Sequence, residues 1–103
     1  MKIAGATVNQ TPIDWENNTL HIVEAIREAR RQQVSLLCFP ELSITGYGCE
    51  DLFLSEWVAD RAWEELLIIR EHCDNMTVAV GLPFRLDNVT YNAVCVIGNR
   101  KIL

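Results

Sequence analysis

The sequence predicts a layered α/β domain in the order β-α-β-loop-α-β-β, and three observations carry that prediction. Short apolar runs, "KIAGATV", "VSLLCF", "VAVGLPF" and "YNAVCVIG", alternate with longer stretches in which apolar residues return every three or four positions. Clusters of Asn, Asp, Gly, Pro and Thr separate them. The chain has 103 residues, half of them apolar, enough for one modest core and too few for two.

Residues 2–8, "KIAGATV", are small, continuous and apolar, the pattern of a central strand with layers packed on both sides. "NQTPID" interrupts the run, and Asp14 stands where a helix N-cap belongs. From there Trp15, Thr19, Ile22, Ile26 and Ala29 fall on one helical face, with Glu24, Arg27, Glu28 and Arg31 opposite. That describes a surface helix covering a sheet. Residues 34–39 form the second strand, and strand, helix, strand in this order implies a right-handed parallel crossover. Ser55 is placed to cap the next helix, whose buried stripe is Val58, Ala62, Leu66, Ile69 and Cys73, with Asp60, Glu64 and Glu71 outward and "NMT" at its close. Residues 78–84 and 91–98 then read as two strands joined by "RLDNVT", where Asp87 and Asn88 supply turn chemistry. After "GNR", a turn, the chain begins "KIL" as though opening another strand, the pattern expected of a truncated product or a fragment.

Charge and cysteine usage exclude several functions. A net charge of −5 and a pI near 4.9 speak against nucleic-acid and anionic-membrane partners, which require clustered Lys and Arg. "REARRQQ" is the solvated end of a helix, where basic residues suit the dipole. Cys38, Cys49, Cys73 and Cys95 include no C-x-x-C pair, and the one neighbouring His, His72 beside Cys73, has no further ligand at metal spacing, so a zinc set is not expected and a reduced, cytoplasmic chain is. The amino terminus fits neither a signal peptide nor a membrane span.

In open α/β sheets, ligands gather at the carboxyl ends of strands, and Glu41 follows "VSLLCFP" at such an end. A carboxylate held there behind a proline is expected to be partly desolvated and a better base; the competing reading is a rim Glu that caps amides or pairs with Arg. Cys49, in a loop, is expected to be the most exposed thiol, although Glu50 and Asp51 beside it disfavour a thiolate. Cys38, Cys73 and Cys95 read as small core residues. His21 and His72 have no second ligand at helical spacing and read as surface or satisfied residues, while Trp15, Trp57 and Trp63 read as packing. Lys101 lies in a terminal segment poorly suited to hold an oxyanion. "GYG" lacks the third glycine of a dinucleotide loop, and Asn9 and Gln10 end the first strand where a phosphoacceptor domain needs acids.

"FPELSITGY" resembles the signature of the nitrilase, or carbon-nitrogen hydrolase, superfamily. "GYGCEDLFL", "VGLPFR" and "YNAVCVIGNRKIL" are similar to the glutaminase domain of glutamine-dependent NAD synthetases, so the likeness spans nearly the whole chain. It implies that residues 1–103 are the opening, incomplete part of an αββα sandwich and a partial glutaminase domain. By position, Glu41 matches the general base of a Glu-Lys-Cys set, and Tyr47 matches a tyrosine of the glutamine pocket. The lysine and cysteine have no matching position here: Lys101 is not that lysine, and none of the four cysteines is that nucleophile. The glutaminase chemistry so implied needs no cofactor; ATP and magnesium belong to a synthetase domain carried in cis, in a parent expected to form homo-oligomers. A small-amide amidase and a non-catalytic α/β module remain alternatives, "EDLF" weighing against the first.

Overall fold

A single five-stranded sheet, in the order β1-β2-β3-β4-β5, carries two helices in the computed structural model, which describes residues 1–103. Strand β1 spans Ile3–Gly5 and pairs in parallel with β2, Leu36–Cys38, which pairs in parallel with β3, Thr77–Leu86. From β3 onward the sheet is antiparallel, with β4 at Val89–Gly98 and β5 at Lys101–Ile102. Helix α1 occupies Trp15–Arg31 and α2 Glu56–Arg70, with a short 3-10 helix at Glu50–Leu54 before α2.

Both helices lie on the same face of the sheet. Side chains that share a register position share a face, because successive strand residues point to opposite sides. Ala4, Leu37, Val78 and Ile97 are in register, and Leu37, Val78 and Ile97 join Val80 and Leu82 in one buried cluster with Ile22, Ile26 and Ala29 of α1 and Ala62, Leu66 and Ile69 of α2. The helical stripes read from the sequence are therefore the stripes that pack. Val58, Ala62, Leu66, Ile69 and Cys73 are all fully buried.

The opposite face has no helix. Ile3 and Val94 are 63% and 65% exposed there, and Cys38, in register with Ala79 and Val96, is exposed as well. This corrects the expectation of a central first strand with layers on both sides: β1 is three residues long and forms a sheet edge. The shortest extent of the molecule, 18 Å, is that of one helix layer on one sheet.

Local chemistry explains several boundaries. Asp14 and Ser55 take the N-cap positions, but neither side chain caps its helix; Asp14 accepts from Asn17 Nδ2 instead, and the Ser55 carbonyl receives Val58 N and Ala59 N. The link expected over residues 85–90 shrinks to Asp87 and Asn88, with φ of 50° and 64°, the left-handed pair of a two-residue hairpin turn. Asn99 and Arg100, at φ 48° and 67°, turn β4 into β5 the same way. Between the helices, buried Glu65 accepts from Thr19 Oγ1 at 2.7 Å and Arg61 Nε at 3.1 Å, while Arg61 stacks over the Trp15 ring. Trp57 is 51% exposed and Trp63 36%, so of the three tryptophans only Trp15 packs against the core. No helix is long and apolar enough to cross a membrane.

Candidate active site

Strand β2 delivers the chain to the carboxyl end of the parallel pair. Phe39 N adds one more bond, to Ala79 O at 2.9 Å, and then Pro40, lacking an N–H, ends the ladder. The backbone turns at Leu42, φ 48°, and returns to β3 through Ile44 N on Gly81 O at 3.1 Å. Ser43 Oγ accepts from Gly81 N at 3.1 Å.

Two glycines let this loop lie so close. A Cβ on Gly81 would stand 2.5 Å from Leu42 N and 2.9 Å from Pro40 O, so only a residue without one fits beneath residues 40–42. Gly46 has φ of 79°, and a Cβ there would meet the Thr11 backbone at 3.1 Å. The loop is thus held between β3 on one side and the β1–α1 connection on the other.

This path brings Glu41 and Tyr47 together. Tyr47 Oη donates to Glu41 Oε2 at 2.5 Å, a length typical of a hydroxyl on a carboxylate. The bond raises the Tyr47 phenol above its ordinary range, chiefly because the proton is held on the shared hydrogen bond, with lost hydration and the negative charge of Glu41 adding to it. Both side chains are exposed, so the desolvated Glu41 expected from the sequence is not found. Pro40 is itself exposed at the surface.

Glu41 and Tyr47 face a cleft of about 190 Å³, lined also by Val8, Asn9, Gln10, Leu42 and Ser43, below the roughly 300–1,000 Å³ usual for small-molecule sites. A larger cleft of about 730 Å³ lies on the outer face of α1 between Glu24, Arg27, Arg30 and Arg31. It has no apolar lining and no acid-base pair; the smaller cleft is the candidate because its chemistry converges.

The remaining candidates lie elsewhere or are occupied. Cys49, expected to be the most exposed thiol, is buried and directs its Sγ at Gly46 O and Thr45 O. Cys38, expected in the core, is the exposed one. Burial pushes the Cys73 thiol up to about 11, against a lowering by Arg30 and smaller raising effects of Asp74 and Cys95, and burial raises Cys95 too. Lys101 sits exposed on β5, at the far sheet edge from β1. His21 is satisfied by Gln10. No group of three His, Cys, Asp or Glu side chains is placed to hold a metal ion.

Sequence reasoning missed Gln10, Asn18 and Ser43. Asn18 is fully buried and Ser43 nearly so, and a polar residue on a helix stripe beside a turn is the one local signal that marks such a site.

The carbon-nitrogen hydrolase profile matches residues 2–103. A putative glutamine-dependent NAD(+) synthetase of Schizosaccharomyces pombe is 39% identical over 98% of this chain, which covers 15% of that protein. The crystal structure of a glutamine-dependent NAD(+) synthetase from Cytophaga hutchinsonii superposes with a TM-score of 0.95 at 55% identity, over 97% of this chain and 17% of that one. An amidase of the nitrilase superfamily from Nesterenkonia, at 23% identity and a TM-score of 0.82 over 100% of this chain and 40% of that one, shares the fold. The chain thus spans about 13–15% of the length of the curated relatives it matches. With a family profile running from residue 2 to residue 103, the chain belongs to the carbon-nitrogen hydrolase family.

Proposed function

We propose that residues 1–103 supply the general base and one wall of the glutamine site of a glutamine-hydrolysing NAD synthetase. The observation that carries this is the Tyr47–Glu41 hydrogen bond at the mouth of a cleft beyond β2, in a chain 55% identical to part of a protein of that name. Glu41 is the proton acceptor. It takes the proton of a cysteine thiol, and the thiolate attacks the side-chain carboxamide carbon of glutamine. A lysine ammonium meets the developing oxyanion. Glu41 then returns the proton to the departing ammonia and accepts another from the water that opens the thioester, releasing glutamate and regenerating the thiol. Tyr47 orients the carboxylate and borders the substrate.

The lysine and cysteine implied by the resemblance lie outside residues 1–103, so the 103-residue chain alone supplies one member of three and is expected to be inactive. Ammonia released by the complete domain passes to a synthetase domain in cis, where ATP and magnesium support amidation of nicotinic acid adenine dinucleotide. A compartment for this work is taken to be the cytoplasm, and the parent a homo-oligomer.

The test is a fusion in which residues 1–103 replace the matching segment of the Cytophaga hutchinsonii synthetase. Glutamine-dependent ammonia release is expected from the fusion and none above background from residues 1–103 alone. Ammonia release by the isolated chain, or a folded fusion that hydrolyses small linear amides and leaves glutamine intact, contradicts the proposal; the second result favours the amidase alternative.

A further inference from the structure

Gln10 and His21 take no part in the acid-base pair, yet both converge on the segment that carries it. The Gln10 amide donates through Nε2 to two backbone carbonyls, Asn18 O at 3.0 Å and Ser43 O at 2.6 Å. Its Oε1 faces His21 Nδ1 at 2.7 Å. Chemistry forces this orientation, because the flipped amide would set Oε1 against two carbonyl oxygens, acceptor against acceptor. With Oε1 so fixed, His21 Nδ1 must carry a proton.

Asn18 does related work from the other side of the same connection. Its Nδ2 donates to Ile44 O at 3.1 Å and Thr11 O at 2.8 Å, and its Oδ1 accepts from Thr11 N at 3.0 Å. Two amides therefore grip successive carbonyls, Ser43 and Ile44, within three residues of Glu41. They differ in burial. Asn18 is fully buried, so its loss is a folding defect, whereas Gln10 is only half-buried and lines the cleft beside Glu41 and Tyr47.

We propose that Gln10, its amide oriented by the two carbonyls and held in place through Oε1 by the Nδ1–H of His21, is the positioning residue of the Glu41–Tyr47 pair: by fixing the Ser43 carbonyl it sets the direction from which the carboxylate meets a proton donor. The catalytic meaning of this rests on the reading of Glu41 as a base. The geometric part does not, and it can be measured separately.

The experiment is an NMR titration of Tyr47 in the 103-residue chain labelled with ¹³C-tyrosine, with Tyr91→Phe to assign the signal. Tyr47 is expected to titrate above the ordinary tyrosine value while its bond to Glu41 stands. Gln10→Met keeps the length of the side chain and removes both donors; the titration is expected to fall back toward the ordinary value. His21→Asn retains an N–H close to the position of Nδ1 and is expected to keep the wild-type titration, whereas His21→Phe is expected to behave like Gln10→Met. A purely structural role would shift the melting temperature of both His21 variants without separating their tyrosine titrations. Should Gln10→Met not fold, the two His21 variants decide. A wild-type Tyr47 titration in Gln10→Met, or identical titrations in the two His21 variants, overturns the inference. Loss of glutamine hydrolysis on Glu41→Gln in the fusion tests the base separately, so failure of one reading is told apart from failure of the other.

Discussion

Glu41 and Tyr47 are six residues apart and one hydrogen bond apart because the intervening loop is pressed onto Gly81 and Thr11. Gly81→Ala therefore forces residues 40–42 off β3, and a loss of about 1–3 kcal/mol is expected from overpacking, read as a lower denaturant midpoint. The Tyr47 phenol has its pKa raised in the folded state, so its hydrogen bond contributes stability that is complete below the unfolded value, about 10, and is lost as pH rises through the folded value. Tyr47→Phe is expected to flatten the fall in stability above pH 10, measured by chemical denaturation across that range. Among the thiols, Cys38 is expected to react first with a thiol reagent at pH 8, and buried Cys49 and Cys73 only on unfolding; labelling followed by peptide mapping checks the order. The Pro-Glu exit was legible in the sequence because its parts are contiguous. Gln10 and Asn18 were not, since their partners Ser43 and Ile44 lie 33 and 26 residues away. The exposure of Cys38 and burial of Cys49 were reversed for the same reason: the first depends on which sheet face lacks a cover, the second on how a loop folds back.

Among the elements, the helices were the most legible, since a stripe of Ile22, Ile26 and Ala29 or of Ala62, Leu66 and Ile69 has one face to bury and one partner to bury it on. Strand lengths were less so. An apolar run sets where a strand can exist, but pairing sets where it ends, and β1 ends after Gly5 because β2 offers it only three residues of register. The 3-10 helix over Glu50–Leu54 has no buried residue and thus left no periodic trace. The β3–β4 turn offers a direct test at this scale. Asp87 and Asn88 both carry positive φ, a conformation glycine adopts with no side-chain penalty, so Asn88→Gly is expected to stabilise the chain, the relief of the turn backbone outweighing the extra freedom glycine gives the unfolded chain. A two-residue turn predicts a higher midpoint in urea; a lower one would show that Asn88 makes a contact worth more than the relief of its backbone.

For the molecule as a whole, the consequential feature is the sheet face without helices, where Ile3 and Val94 stand exposed beside Leu36, Cys38 and Val96. Apolar side chains on an uncovered sheet and open edges at β1 and β5 favour association. Sedimentation velocity of the 103-residue chain is expected to show concentration-dependent oligomers, and Val94→Lys, on that face, to shift them toward monomer. The class of fold was legible in the alternation of short and long apolar patterns, but which face would be covered was not, because a strand reading "VSLLCF" looks alike whether its second neighbour is present or not. The candidate site shares this geometry: it collects at one end of a half-covered sheet, with a carboxylate at its lip. The most direct measurement is the acylation rate of the fusion protein, followed by rapid-quench release of ammonia from glutamine, with Glu41 intact and with Glu41→Gln. A fall of about 10²–10⁴-fold at unchanged glutamine affinity is the result expected if Glu41 accepts the thiol proton. A Glu41→Gln fusion that acylates at the rate of the unaltered fusion would contradict that role.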